Sequence, residues 1–290
     1  MSSKKSNKQQ GGMKIPRIII HTGKFLQALS PTLATKYVRY LFQKPIKHKM
    51  PKAEKPWAEK AKISYLIIPK IDKSIAIYRW GSGDRKALVV HGWSGRATQM
   101  FNIIDTLLKQ GYTVISFDAP AHGKSTGNKT MMPEFIKSIE TVAETYGPFD
   151  VAIGHSMGGI ALLNVQGNQP LFKKLVIIGA PDSIFNIFNN FVKLLELKPI
   201  VAEKLIAVFE KITGKSIFDF HGSTQTKKIK EPVLIIHDED DKEVPVSDAI
   251  NNYKQLRNGK FLKTKGLGHS RILKNKAVVD EIVNFLQKTE

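Results

Sequence analysis

Val151-Ala152-Ile153-Gly154-His155-Ser156-Met157-Gly158-Gly159-Ile160-Ala161-Leu162-Leu163-Asn164-Val165 is the stretch from which the rest of this chain can be read. A short apolar run leads into Gly-x-Ser-x-Gly, and a helical run follows at once. Strand, sharp turn and helix in that order describe a nucleophile elbow. Neighbouring backbone passes too close to Gly154 and Gly158 for either to carry a side chain. The turn lifts the Ser156 hydroxyl clear of the sheet edge, and the Met157 amide is the first of those aimed at the oxygen of a bound carbonyl. Acyl transfer through a serine is the reaction class this implies.

Partners for the serine lie on both sides of it. Upstream, Ala87-Leu88-Val89-Val90 runs into His91-Gly92-Trp93. In enzymes built on the elbow plan the second oxyanion donor comes from the loop after the third strand, which here is the Trp93 amide. Two fixed amides aimed at a developing oxyanion are often the largest single catalytic contribution. The Trp93 ring would then wall the acyl pocket. Downstream, the buried-strand pattern Pro232-Val233-Leu234-Ile235-Ile236 runs into His237-Asp238-Glu239-Asp240-Asp241, which offers several carboxylates. Beyond it, Gly266-Leu267-Gly268-His269-Ser270 places a histidine on a glycine-flanked loop. Serine, acid, histidine is the chain order that the elbow motif requires.

These segments resemble the α/β-hydrolase fold serine hydrolases of the carboxylesterase and lipase type, from about Ser64 onward. The resemblance also includes Phe117-Asp118-Ala119-Pro120-Ala121-His122-Gly123-Lys124-Ser125, where Ala121 stands in place of a glycine. In the acid loop Asp238 stands where the family carries a glycine. Aligning that loop puts the acid at Asp241, with Asp240 and Asp182 as alternatives. The resemblance implies that Ser156 attacks, that His269 moves the proton and that Asp241 orients the imidazole. It requires no metal or organic cofactor, and no histidines and acids are spaced as metal ligands. A serine at the elbow argues against dehalogenase or epoxide hydrolase chemistry.

The fold expected is α/β: an α/β-hydrolase fold with a mostly parallel eight-stranded sheet, helices on both faces and a helical cap insertion. Strands are expected near 64–69, 74–80, 87–92, 112–117, 151–155, 174–179, 233–238 and 260–265. Helices are expected near 96–110, 131–146, 157–168, 246–258 and 275–288. The cap is placed at about 183–223, where Ile184, Phe185, Phe188, Phe191, Val192 and Leu195 recur at helical spacing before Lys198-Pro199 breaks the helix. Phe185 and Phe188 are the cap side chains expected to bind a hydrophobic substrate part. Asp182 would cap the first cap helix.

Composition bounds the rest. The 290 residues are 42% hydrophobic, contain no cysteine and carry a net charge of +20. There is no disulfide framework and no thiol nucleophile. No apolar run is long enough to span a membrane. Charge is uneven: residues 1–60 hold 14 Lys and Arg against Glu54 and Glu59, a net +12. Residues 1–12 are expected to form a disordered basic tail, 13–60 a basic amphipathic helical segment and 61–290 the hydrolase domain. Within 13–44 two short helices are expected, Ile15 to Leu29 and Ser30 to Lys44, with Ser30 capping the second. Leu33, Tyr37, Tyr40 and Leu41 form its apolar stripe. Pro45 to Pro56 reads as a linker. Basic plus apolar is the composition of an interfacial helix, so peripheral contact with an anionic membrane through residues 13–44 is one partner. The same stripe could instead pack on the hydrolase body. Nucleic acid is disfavoured, since no recognition motif is present.

The function expected is hydrolysis of a small-molecule carboxylic ester with a hydrophobic acyl or alcohol part, in the cytoplasm or at the inner membrane face. The alternatives are the same triad on a thioester, amide or carbon–carbon bond, cofactor-free perhydrolase chemistry, or a non-catalytic membrane-docking module on a hydrolase scaffold.

Overall fold

Two antiparallel helices come first in the computed structural model, which describes residues 15–288. These are α1 (Arg17–Leu29) and α2 (Pro31–Phe42), followed by the short α3 (Lys55–Lys60). The strands are β1 (Lys62–Ile68), β2 (Lys73–Trp80), β3 (Arg85–Val90), β4 (Tyr112–Phe117), β5 (Phe149–His155), β6 (Phe172–Ile178), β7 (Val233–Asp238) and β8 (Gly259–Thr264). Between and after them run α4 (Phe101–Lys109), α5 (Met132–Tyr146), α6 (Met157–Asn168), α7 (Ile184–Leu194), α8 (Pro199–Thr213), α9 (Gly222–Thr226), α10 (Val246–Lys254), α11 (Gly268–Arg271) and α12 (Lys276–Gln287). The expectation for residues 1–12 lies outside the described residues.

One eight-stranded sheet holds the strands in the order β1-β2-β4-β3-β5-β6-β7-β8. β2 pairs antiparallel with both neighbours, and every other pair is parallel. The central strands read as near-continuous apolar runs because helices cover both faces. On one face lie α5, α6 and the α7–α8 pair, with Phe135, Ile139, Leu163 and Phe209 sealed in the core. On the other lie α4 and α12, which bury Ile103, Leu107, Ile282 and Phe285. α6 is buried from Met157 to Gln166 on every side, as its lack of a polar face foretells.

The parallel register brings the carboxyl ends of β5 to β8 to one level. His155 pairs with Ile178, Ile178 with Ile236, and Asp238 with Thr264. Loops leaving these ends must therefore converge, which is where open α/β sheets hold their ligands.

Three expectations need correction. Tertiary contact chose a different face of α2: Ala34, Thr35 and Val38 are buried, whereas Leu33 and Tyr40 of the expected stripe face solvent. Small and β-branched residues allow the close approach of α8 that larger ones would block. Residues 45–56 are docked, not a free linker. Pro45 is buried, and Glu54 accepts a hydrogen bond from Thr98 Oγ1 at 2.7 Å, with Arg96 at 3.7 Å. Ser183, not Asp182, caps α7, accepting from the Asn186 amide at 3.0 Å. Asp182 instead accepts from the Ser223 amide and ties the two ends of the cap segment together.

Candidate active site

Ser156 stands between β5 and α6 with φ +52° and ψ −119°. A non-glycine residue held there costs of order 1–3 kcal/mol and persists only where the surroundings over-determine it. Here they do. The Ser156 amide donates to the Ile178 carbonyl at 2.9 Å, and α6 starts on the next residue. A Cβ on Gly158 would lie 2.5 Å from the carbonyl oxygens of Val90 and His91. A Cβ on Gly154 would lie 2.7 Å from the Gly158 oxygen. The motif glycines are thus places where β3, β5 and α6 touch backbone to backbone.

The acid loop meets the histidine loop through one pair. Asp241 Oδ2 accepts from His269 Nδ1 at 2.7 Å, and Oδ1 accepts from the amides of Glu243 and Val244 at 2.9 and 3.0 Å. Burial would raise the Asp241 pKa. The His269 hydrogen bond and charge, with the two amides, outweigh burial and hold it below the usual aspartate value. Burial likewise would lower His269, but Asp241 and then Glu243 raise it above 6.5. Asp240 sits apart, accepting from the Gly266 amide, and Asp182 belongs to the cap. His269 Nε2 lies 3.9 Å from Glu243 Oε2 and makes no hydrogen bond to Ser156 among the described residues.

Asp238 holds the loop on which His269 rides. Its Oδ1 accepts from the amides of Asp240 and Gly268, at 3.0 and 2.9 Å. Its Oδ2 accepts from the Leu267 amide at 3.0 Å and Thr264 Oγ1 at 2.7 Å. Burial pushes its pKa up, but the four donors outweigh it and leave the carboxyl below its ordinary value. In sequence this residue was only a departure from the usual glycine.

Other histidines brace the site. His155 lies against the His269 ring at 4.6 Å between centroids and donates from Nε2 to the His269 carbonyl at 3.0 Å. His91 donates from Nδ1 to the Gly92 carbonyl and accepts the Ala119 amide on Nε2. His122 accepts the Ser94 amide on Nε2 at 3.0 Å. Burial lowers all three, His91 to about 4, His122 and His155 to about 3, so they stay neutral at ordinary pH. Neutral rings can accept amide protons, and that fixes the His91–Ser94 loop.

The amides of Trp93 and Met157 donate to no acceptor among the described residues. The Gly92 position approaches Ser156 closely, since a Cβ there would lie 3.0 Å from Ser156 Cβ. The Trp93 ring stacks on Phe135 and on Phe42, with centroids 6.4 and 6.1 Å apart. Phe42, at the end of α2, also meets Phe188 at 4.9 Å and Phe191 at 5.3 Å. Phe188 is buried. Phe185 is exposed and stacks on Phe218, outside this cluster. No sequence pattern pointed to Phe42, because its partners are more than fifty residues distant.

Comparison with known proteins agrees with the fold. The family model described as alpha/beta hydrolase fold matches residues 88–224, and one described as TAP-like protein matches 215–290. The chain is an α/β-hydrolase-fold protein. A bifunctional esterase/perhydrolase of Acinetobacter calcoaceticus is 25% identical over 242 residues, 66% of this chain and 87% of that one. A non-heme haloperoxidase of Rhodococcus erythropolis is 25% identical over 260 residues, 72% of this chain and 94% of the other. Among solved structures, ferulic-acid-bound Est1E of Butyrivibrio proteoclasticus superposes with a TM-score of 0.62 at 19% identity, covering 78% of this chain and 100% of that chain. No group of histidine and acidic side chains among the described residues could hold a metal ion.

Proposed function

We propose that this protein is a serine hydrolase that cleaves carboxylic esters bearing a hydrophobic acyl or alcohol part. The observation that carries this is the buried Asp241–His269 pair, 2.7 Å apart, at the same sheet edge as the strained Ser156 elbow. In this mechanism Ser156 Oγ attacks the acyl carbon while His269 Nε2 takes its proton. Asp241 holds Nδ1–H, so that Nε2 is the free basic nitrogen, and stabilises the imidazolium that forms. The oxyanion falls to the amides of Trp93 and Met157, which lack other acceptors. His269 then protonates the leaving alcohol and activates the water that releases the acid. The hydrogen bond from Ser156 Oγ to His269 Nε2 forms on substrate binding, since catalytic hydrogen bonds often tighten only in the complex.

Substrate preference follows from Trp93, Phe42 and Phe191, half-buried rings that make an apolar wall backed by the buried Phe188. Phe185 stacks outside that wall and drops out of the acyl site. The first relative's name pairs esterase with perhydrolase chemistry. Both run through an acyl-enzyme, so the acceptor, water or peroxide, would distinguish them here.

Intact-mass labelling with a fluorophosphonate tests this on the full chain. One adduct on the wild type, none on Ser156→Ala, and turnover of a p-nitrophenyl ester series are expected. Folded wild-type protein that takes no adduct and turns over no ester would overturn it and favour a non-catalytic scaffold.

A further inference from the structure

The α1–α2 hairpin is docked by one face and bare on the other. On the docked face Ala34 and Val38 are sealed, Gly23 packs against Leu197 of the cap, and Phe42 meets Trp93. On the bare face α1 exposes Ile18 (71%), Phe25 (65%) and Leu29 (62%). Spacings of seven and four residues put these three within about 40° of one another around the helix. Leu33 and Tyr40 of α2, again seven apart, are exposed as well. Outside residues 17–46 and the 183–223 cap segment, only Tyr65, Ile67 and Tyr253 are exposed large apolar side chains among the described residues. Exposed apolar surface is thus gathered on the hairpin and on the cap segment it packs against, and the three-residue stripe on α1 calls for an occupant.

Charge selects the occupant. No acidic residue precedes Glu54, and although Lys24 pairs with Glu196 of the cap, Arg17, Lys36, Arg39 and Lys44 also lie on or next to the hairpin. Lys44 and Lys129 set their ammonium groups over the Tyr40 ring, 5.6 and 4.8 Å from its centroid. A second copy of this chain would bring like charge against like. A polyanion without an apolar phase would leave Ile18, Phe25 and Leu29 in water. Anionic lipid satisfies both the stripe and its basic border. We propose that the α1–α2 hairpin docks this protein on an anionic membrane surface, with Ile18, Phe25 and Leu29 entering the headgroup boundary. Docking does not depend on the hydrolase chemistry, although Phe42 of the same hairpin reaches the acyl wall.

The test is co-sedimentation of the full chain with phosphatidylcholine vesicles, alone or mixed equally with phosphatidylglycerol. Binding to the mixed vesicles that weakens at high salt is expected, with little binding to phosphatidylcholine alone. The triple variant Ile18→Ser, Phe25→Ser, Leu29→Ser should bind at least about tenfold less tightly, since three apolar side chains leave the interface. These positions are exposed, so its melting temperature and fluorophosphonate labelling should match the wild type. A second variant, Arg17→Gln with Lys36→Gln, should lose the preference for anionic lipid. Wild type that fails to bind, or a triple variant that binds equally, would overturn the docking. Equal binding to both lipids would overturn the choice of anionic lipid. A wild-type dimer that the triple variant dissociates would assign the face to a second copy.

Discussion

Replacing Asp238 by glycine, the residue that related acid loops carry, should disable the histidine loop without touching any group in the proposed chemistry. Four donors lose their acceptor: the amides of Asp240, Leu267 and Gly268, and Thr264 Oγ1. Gly268 is buried, so its amide meets water only if the loop opens. That loss costs about 1.5–3 kcal/mol, and the three donors nearer solvent about 0.5–1 kcal/mol each, for a total of roughly 3–6 kcal/mol. At about 2–4 °C per kcal/mol for a domain of this size, the melting temperature should fall by roughly 6–24 °C. His269 follows Gly268 directly, so kcat on a soluble p-nitrophenyl ester should fall by about tenfold or more, with KM less affected. Melting followed by circular dichroism, with kinetics well below the melting point, measures both. The sign with pH is an independent check. A carboxylate whose folded pKa is depressed contributes stability above its unfolded value of about 3.9 and loses it as pH falls through the folded pKa. The gap between wild type and Asp238→Gly should therefore be full at neutral pH and narrow only in strong acid. A melting temperature within about 2 °C of wild type, or an unchanged kcat, would refute the clamp.

Three further outcomes are expected. Because Asp241 and Glu243 raise His269, ester turnover should rise with pH through a midpoint above 6.5. The stabilisation from the Asp241–His269 pair should be complete below about 6.5 and fade as pH rises through that midpoint. Asp241→Asn should lower kcat by about three to four orders of magnitude and move any remaining midpoint down; a pH–rate series on both proteins checks this. Phe42→Ala removes a half-buried ring set among Trp93, Phe188 and Phe191. It should cost about 2–4 kcal/mol in urea unfolding and raise KM more for long-chain than for short-chain esters. Gly158→Ala drives a methyl into the carbonyls of Val90 and His91, so fluorophosphonate labelling should vanish even in whatever folded protein is recovered.

The sheet was legible in the chain because its signals are local. Apolar runs of strand length alternate with helical periods, and β4, β7 and α6 were bounded correctly from sequence alone. The elbow was legible because three backbones must meet at Gly154 and Gly158, which leaves a trace in residue type. Even Ser30 as the cap of α2 needed nothing beyond its neighbours.

What required tertiary structure is what depends on distant partners. Periodicity shows that α2 has an apolar side, but the buried side is the one that fits α8, so Val38 is sealed while Leu33 faces solvent. Alignment of the acid loop favoured Asp241 but left Asp240 and Asp182 open, and the convergence of the β7 and β8 loops is what brings Asp241 against His269. Asp238, a departure from pattern in the chain, becomes an anchor because its register partner is Thr264 and the His269 loop returns over it. Phe42 reaches Trp93 across the fold, and no local signal marks it. Residue type and spacing are written along the chain, whereas side-chain direction is decided by whatever packs against it.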